Sequence, residues 1–457
     1  MRPVASLGGT ALVVLAAAAV LAQEPDPSPS PPEPAEPEEA RSTGLPSGLD
    51  WTFNLDASWG TFGFANSLYQ DPKPEQPSGD LSDQWFEGAA KPALTATWTA
   101  ANASQLYAKL SVVGERTYGA APTLVGEDAS SYDVEDLHIG WRSGGSIGLG
   151  ENALELTVGR APYRIGNMLL LGDGAAEGGH RGGYWTNARK AFEFAALGRL
   201  KAGAHRLEAF YLDKDDLPEA DSGSRLWGGN YELAIGEDNT FGATYMRWLA
   251  RPEENPGRDG LDVFHLRAYT APVPKLPGLA FEAEYALERN GDTLHSDAWS
   301  LQAAYEIDTA WSPRLSYRYA RFRGDDPATP ANEGFDPLLP GLDDWGTWWQ
   351  GEIAGEYFVS NSNLVSHQVR LHLAPSEGVG TGLIAYKFFL DQPSSFDPGL
   401  AADDIAFEVD AYLDWEMTDN FTVSVVAAFA NPGDAVSQTS GRTKNFSYGM
   451  VYLGYSY

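Results

Sequence analysis

From Trp51 to the carboxyl terminus, apolar and polar residues alternate along the chain with a period of two. The first segment of this kind carries its apolar residues at Trp51, Phe53, Leu55, Ala57 and Trp59. The same alternation recurs in segments that include residues 94–98, 106–112, 154–158, 281–287, 299–307 and 405–415. Because successive side chains of a β-strand point to opposite faces, the pattern indicates strands with one apolar and one polar face. No window carries a helical stripe of comparable length, so the chain is predicted to be all-β.

The connections between the predicted strands have two lengths. Short turn signals lie at residues 100–102, 236–239, 360–363 and 418–420. Longer segments rich in Gly, Pro and Asp lie around residues 66–82, 117–130, 165–186, 214–226, 323–346, 391–402 and 431–445. Short turns at one end and long loops at the other are typical of an outer-membrane barrel, in which the short turns face the periplasm.

Three further observations favour a membrane barrel over a soluble β-sandwich. Many predicted strands are about ten residues long, the length of a tilted membrane strand. The chain ends in an alternating strand, 446–457, whose last residue is the aromatic Tyr457, as in strands that the barrel assembly machinery recognises. Tryptophans stand near strand ends, where an interfacial girdle requires them, at positions 51, 59, 98, 141, 185, 299 and 415.

The pattern yields about 19 candidate strands, whereas single-chain bacterial barrels have an even number. The ambiguous region is 345–390, where two tight turns bracket residues 364–373. We therefore predict a single transmembrane antiparallel β-barrel of about 18 strands.

The amino terminus has a different composition. Arg2 precedes an apolar run that ends in small residues at Ala22, which is the pattern of a secretory signal peptide. The next segment, 23–48, is rich in Pro and Glu, and it cannot bury enough apolar surface to fold. The chain is thus predicted to comprise a signal peptide (1–22), a disordered linker (23–48) and an outer-membrane β-barrel (49–457). This organisation places the protein in the outer membrane of a Gram-negative-type bacterium.

Composition excludes several classes of protein. The chain has 457 residues and no Cys, which rules out disulfides, thiolate metal sites and a cysteine nucleophile. Its 31 Lys and Arg against 63 Asp and Glu give a formal charge of -32, so phosphate repulsion argues against a nucleic-acid partner.

The sequence predicts no catalytic residue, no metal site and no cofactor, so an enzyme is not expected. His367 and His372 are five residues apart, so on one strand they would face opposite ways. The glycines at 172–174 have no phosphate-binding Lys at the required offset. Acidic pairs such as Asp325-Asp326 offer the oxygen ligands that Ca²⁺ prefers, but their spacing does not match a calcium-binding loop.

Charged residues in the polar phase of the predicted strands are predicted to line the lumen. The basic candidates are Lys91, Lys109, Arg160, Arg164, Arg189, Arg206, Arg267, Arg314, Arg318, Arg370 and Lys387. The acidic candidates are Asp56, Glu87, Glu155, Glu193, Glu208, Glu232, Glu282, Glu284, Glu352, Glu408 and Asp410. Two interpretations remain open: cross-strand ion pairs that stiffen the wall, or an arginine ladder that passes an anionic polymer by bidentate contacts with its carboxylates.

Several motifs are distinctive: Leu156-Thr157-Val158-Gly159-Arg160 with the loop to Gly174, the block Asp344–Ile353, Gly355-Glu356-Tyr357, Asn361-Ser362-Asn363-Leu364, and the strand Phe407–Asp410 with its following turn. Together they resemble the alginate export family. The resemblance covers the chain from about Trp51 to Tyr457. It implies an outer-membrane barrel of about 18 strands through which anionic exopolysaccharide passes.

The leading functional hypothesis is therefore an outer-membrane channel for polar or anionic solutes, with exopolysaccharide as one candidate. The alternatives are a general diffusion porin without polymer specificity, and a barrel enzyme or adhesin that acts through its loops. The expected partners are outer-membrane lipid and lipopolysaccharide, the barrel assembly machinery and the transported solute. The sequence does not indicate an oligomeric state.

Overall fold

The computed structural model describes residues 48–67, 82–119, 121, 128–175, 178–236, 239–253, 255, 257–270, 276, 278–342 and 344–457. The predicted signal peptide and almost all of the predicted linker lie outside the described residues.

The chain forms a closed antiparallel barrel of 18 strands, which confirms the predicted fold class and strand number. Each strand pairs with its sequence neighbours, and β1 also pairs with β18, for example at Trp59 opposite Leu453. Closure leaves no sheet edge, so every strand finds backbone partners within the membrane. The strands are β1 (Leu49–Ala65), β2 (Asp83–Thr99), β3 (Gln105–Gly119), β4 (Ser130–Arg142), β5 (Leu154–Pro162), β6 (Ala191–Ala202), β7 (His205–Asp213), β8 (Arg225–Ile235), β9 (Asn239–Leu249), β10 (Asp262–Thr270), β11 (Leu279–Asn290), β12 (Leu294–Glu306), β13 (Arg314–Phe322), β14 (Leu364–Ser376), β15 (Val379–Leu390), β16 (Asp404–Thr418), β17 (Phe421–Pro432) and β18 (Phe446–Ser456).

The two faces of the wall differ as the alternation predicts. Leu266, Leu301 and Leu383 are each more than half exposed, at 58%, 53% and 53%, because they point outward where lipid replaces water. Their strand neighbours Arg267 and Gln302 point inward. The barrel therefore presents an apolar band to the membrane and a mainly polar face to the lumen.

The connections define the two ends of the barrel. At one end the joints are short, as at residues 203–204, 377–378 and 419–420. At the other end they include the long segments 163–190 and 323–363. Both ends of the barrel domain lie at the short-turn end, where Leu55 and Tyr457 exchange backbone hydrogen bonds of 2.9 and 3.0 Å. By the usual length rule, this end faces the periplasm.

The structure resolves the ambiguous region 345–390. Only β14 and β15 cross the wall there, and residues 323–363 form one connection between β13 and β14. The predicted turn at 360–363 thus does not join two strands. Trp185, which we expected in a girdle, lies within the β5–β6 connection and contacts Tyr452 of β18 on its lumen side.

Helical segments are short and occur in the connections. They are α1 (Gly178–Arg181), a 3₁₀ turn (Pro218–Ala220), a π-helical turn (Gly351–Gly355), α2 (Pro393–Phe396) and α3 (Asp434–Ser440). In the part of the chain that the structure describes, no helix has the length and apolar character needed to span a bilayer.

Because the two faces of the wall differ, an arginine substitution should destabilise the barrel far more at one residue of β17 than at its neighbour. Val425 pairs with Leu413 and Val451 on the outer face, whereas Ser424 faces the lumen and donates to Asp414. We expect Val425→Arg to lower the free energy of unfolding in vesicles by about 2–4 kcal/mol, because it places a charge in lipid. Ser424→Arg, beside a carboxylate, should change it much less. Equal losses in denaturant titrations would contradict the assigned faces.

Candidate functional site

Two long connections fold into the barrel and narrow it. We call residues 163–190 inner loop A and residues 323–363 inner loop B. Leu170 of loop A and Leu339 of loop B are buried in one apolar cluster with Phe388 of the wall. The loops also bond to each other, because Gly172 N–H donates to Leu339 O (2.9 Å) and Leu339 N–H to Leu170 O (3.1 Å). Together they form a constriction across the lumen.

Inner loop B is held by carboxylates on β16. Glu408 accepts hydrogen bonds from the N–H groups of Ile353 (2.8 Å) and Ala354 (2.7 Å), and Asp410 accepts one from the N–H of Glu352 (3.2 Å). Gly351 is required here, because its φ is +91° and an added Cβ would lie 2.4 Å from Glu408 Oε1. Three predicted lumen residues, Glu352, Glu408 and Asp410, therefore come together as a buried anchor.

Inner loop A is held in the same way by another part of the wall, formed by β2, β3 and β4. Glu87 of β2 accepts from the N–H groups of Trp185 and Thr186 (2.9 Å each). Glu115 of β3 accepts from the Ala188 N–H (2.6 Å), and Glu135 of β4 from the Lys190 and Ala191 N–H groups (2.6 and 2.8 Å). Glu87 is among the inward candidates that the sequence predicts, whereas Glu115 and Glu135 are not. The signal that could have found Glu115 is its shared phase with Ser111 of the same strand, which is also buried.

Asp215, in the β7–β8 connection, gathers three arginines. It binds Arg160, Arg189 (2.7 Å) and Arg181 (3.5 Å). Arg189 also pairs with Asp133 of β4 (3.2 Å), and its side chain is only 1% exposed. The lumen candidates Arg160 and Arg189 thus come together in a buried ion-pair network that stiffens the wall.

A continuous row of charges crosses the wall from β4 to β10. Its ion pairs link neighbouring members at 2.8–3.7 Å, and they include Arg199–Glu208 at 3.1 Å and Arg206–Glu208 at 2.8 Å. The side chains of Arg206 and Arg142 remain 49% and 40% exposed to the lumen. We call this set the charged row; its members are Arg142, Glu155, Arg199, Glu208, Arg206, Glu232 and Arg267. Five of the seven members are among the predicted lumen candidates, and the two that were missed, Arg142 and Arg199, share the inward phase of their strands.

The remaining inward candidates lie on β11, β13 and β14. Arg314 approaches Glu282 at 3.9 Å, and Glu284 is hydrogen-bonded to His265 Nε2 at 2.8 Å. Arg318 is buried, donates to Gly346 O (2.8 Å) and covers the ring of Trp348.

Arg370 of β14 binds Asp344 of inner loop B and donates to the Tyr412 hydroxyl at 2.9 and 2.6 Å. Arg318 and Arg370 therefore connect β13 and β14, respectively, to inner loop B.

The structure corrects the position of Lys387. It shares the outward phase of the exposed Leu383, pairs with Asp404 (2.5 Å) and lies over the ring of Phe389. The reason is that Tyr386 and Phe388, although apolar, turn inward and pack in the constriction core, so the apolar phase of β15 is the inner one here.

Two other candidates stand apart from the ion-pair networks. Glu193 lies beside Phe194 at a bulge of β6, and both side chains are exposed. Arg164 is exposed on inner loop A. Neither residue makes an ion pair with any residue that the structure describes. No group of three or more metal-binding side chains occurs within the described ranges either.

The fold and the constricted, charged lumen define a class: an outer-membrane channel of the porin type. The model of the alginate export family matches residues 111–450, so the chain belongs to that family, as its motifs indicated. No curated protein matches the chain.

Solved structures share the barrel fold. OccK11 (OpdR) of Pseudomonas aeruginosa is 13% identical over 91% of this chain and 98% of its own, with a TM-score of 0.57. OpdL of the same species is 14% identical over 89% and 99%, with a TM-score of 0.56. OccAB2 of Acinetobacter baumannii is 13% identical over 89% and 98%, with a TM-score of 0.53.

The network around Asp215 allows a test of its structural role. Asp215→Asn would leave three buried or nearly buried guanidinium groups with too little negative charge, so we expect the free energy of unfolding to fall by about 3–5 kcal/mol. The matched control is Asp221→Asn, because Asp221 pairs with Arg251 and both side chains are nearly half exposed. That change should cost less than about 1 kcal/mol. Equal effects of the two variants would exclude the proposed network.

The docking of inner loop B should depend on pH. Burial, reinforced by the charge of Glu87, raises the pKa of Glu356 to about 8 from an ordinary value of 4.5. Burial and the charges of Asp410 and Glu356 also raise the pKa of Glu352. The docked loop favours the protonated carboxyl of Glu356. Docking is therefore most stable below pH 4.5 and loses stability as the pH rises towards 8.

We therefore expect open-channel current noise to increase as pH rises through this window. Glu356→Gln should flatten that part of the profile, because glutamine keeps the size of the side chain without its titration. An unchanged profile in planar-bilayer recordings would show that Glu356 does not control the loop.

Proposed function

We propose that this outer-membrane channel passes anionic polar solutes and that acidic saccharides are among them. The observation that carries the proposal is the charged row, which presents guanidinium groups to the lumen next to the constriction. The row holds four arginines against three glutamates, a local excess of positive charge in a chain whose formal charge is -32.

The geometry suits transient contact with carboxylates. Guanidinium groups bind carboxylates through paired hydrogen bonds, and the neighbouring glutamates keep each arginine oriented. Because every arginine of the row already has a protein partner, a passing anion gains only a modest further interaction. Weak contacts at several successive positions favour conduction, since a solute that binds weakly can also leave.

Membership of the alginate export family supports a saccharide as one substrate class. A general diffusion porin without polymer specificity is the second candidate, and the near balance of charge in the row favours it. Nothing in the described residues favours a barrel enzyme or adhesin: they hold no group of three or more metal-binding side chains, and His180 of inner loop A is exposed on α1.

Ion selectivity tests the role of the row. Arg206→Glu should lower the chloride-to-potassium permeability ratio by about threefold or more, because it reverses a charge at a partly desolvated position. Arg225→Glu is the matched control, since Arg225 is equally exposed, at 51%, but stands in the outward phase of β8 beside Trp227. Reversal potentials in planar bilayers measure both variants. A row that only stiffens the wall would give the same ratio in both.

Uptake separates the two candidate functions. Liposomes that contain the channel should take up a hexauronate at least about tenfold faster than a neutral hexasaccharide of the same length, a difference of about 1.4 kcal/mol. Equal rates would favour the general diffusion porin.

A further inference from the structure

Aromatic rings form a surface on the opposite side of the lumen from the charged row. In the closed order of 18 strands, β16 and β18 are nine strands from β7 and β9, so the two surfaces face each other. We call this surface the aromatic wall; its members are Trp185 of inner loop A, Trp345 and Trp349 of inner loop B, Tyr412 of β16 and Tyr452 of β18.

The rings of the aromatic wall form two contiguous groups. Trp185 lies 5.0 Å from Tyr452 and 6.0 Å from Trp349, measured between ring centroids. Trp345 stacks on Tyr412 at 5.6 Å with an interplanar angle of 30°. Both groups combine a ring from the barrel wall with tryptophans from the loops, so the surface exists only when the loops are docked.

The aromatic wall is not simply part of the apolar core. Trp185, Trp345 and Trp349 retain part of their surface, as does Tyr452. Tyr412 is buried, like Trp85 and Trp348, and supports the stacked ring of Trp345. Large rings that stay partly accessible inside a lumen are available to contact a solute.

Polar groups border the rings. The Trp345 indole N–H donates to Asp414, which also accepts from the Ser424 hydroxyl at 2.6 Å. Arg370 donates to the Tyr412 hydroxyl and lies over its ring, with the guanidinium carbon 5.2 Å from the centroid. The surface therefore alternates flat apolar faces with hydrogen-bonding groups.

The aromatic wall lies on the periplasmic side of the constriction. Tyr412 is four residues nearer the periplasmic end of β16 than Glu408, which binds inner loop B. Tyr452 is likewise four residues beyond Tyr448, whose ring contacts Tyr357 of that loop. A solute that enters from the periplasm therefore meets these rings before the constriction.

We propose that the aromatic wall is a binding subsite for sugar rings at the periplasmic entrance of the constriction. This inference rests on the proposed function and names the part of the lumen that recognises the saccharide. A pyranose ring has an apolar C–H face and a rim of hydroxyl groups. The indole faces bury the C–H face, which is favourable at roughly 25 cal/mol per Å² of apolar surface, while Asp414 accepts hydrogen bonds from the hydroxyls.

The same geometry disfavours other occupants. A small inorganic anion has no apolar face to bury and would interact with the charged row alone. A lipid chain requires a continuous apolar surface, which Asp414 and Arg370 interrupt. The two groups of rings instead suit successive units of one oligosaccharide, whose acidic substituents then point across the lumen towards the arginines.

Single-channel blockade tests the subsite. A 1→4-linked hexauronate and a neutral glucose hexasaccharide, each added on the periplasmic side, should interrupt the current of the unmodified channel. Trp345→Leu and Tyr452→Leu should each shorten the dwell time of both sugars about tenfold, which corresponds to about 1.4 kcal/mol. Trp345→Phe, which keeps a ring, should retain most of the dwell time. Trp227→Leu, on the outer face, is the matched control and should leave it unchanged.

The outcomes separate this inference from the proposed function. If the hexauronate blocks the channel but the leucine variants keep the normal dwell time, the aromatic wall is not a subsite and the proposed function stands. If only the neutral sugar blocks and its dwell time depends on the rings, the subsite stands and the anionic function fails. If neither sugar interrupts the current, both are overturned. Heat-modifiable gel migration confirms that each variant is a folded barrel.

Discussion

The lumen depends on carboxylates of the barrel wall that accept hydrogen bonds from the backbone of the inner loops. Loop backbone that leaves water must find new partners, because an unsatisfied buried N–H group costs about 1–3 kcal/mol. Glu408 and Asp410 supply these partners for inner loop B, and Glu87, Glu115 and Glu135 supply them for inner loop A. Many of the carboxylates inside the barrel therefore position the loop backbone, and they are not exposed to a solute in the lumen.

Once the loops are docked, the lumen has two unlike sides. Ion pairs between neighbouring strands dominate the side from β4 to β10, and aromatic rings dominate the side from β16 to β18. Both surfaces arise from ordinary strand alternation, but the aromatic one also needs Trp185 and Trp345 from the loops. Selectivity in this channel is thus a property of loop docking as much as of the strands, which links solute recognition to the hydrogen bonds described above.

The sequence predicts the barrel well because one physical rule, alternation between lipid and lumen, acts on every strand. The same rule places Arg206, Glu155 and Arg267 correctly in the lumen. The rule fails for Lys387, because the neighbouring apolar side chains of Tyr386 and Phe388 point into the lumen and pack against the inner loops, so Lys387 points outward. Inner loops are hard to predict because their contacts are distant in sequence. A signal was nevertheless present, in the run Met168-Leu169-Leu170-Leu171 within a glycine-rich connection, because a loop in water has no reason to carry it.

The bond between the two inner loops has a mechanical consequence. Loop A is tied to β2, β3 and β4, and loop B is tied to β13, β14 and β16. The Gly172–Leu339 and Leu339–Leu170 hydrogen bonds join the two loops in the middle. The pair therefore acts as a crossbar that spans the barrel from one side to the other. A hollow cylinder flattens easily under lateral pressure, whereas a cylinder with an internal crossbar resists flattening along that direction. The cross-section of this barrel should hence deform mainly at right angles to the crossbar.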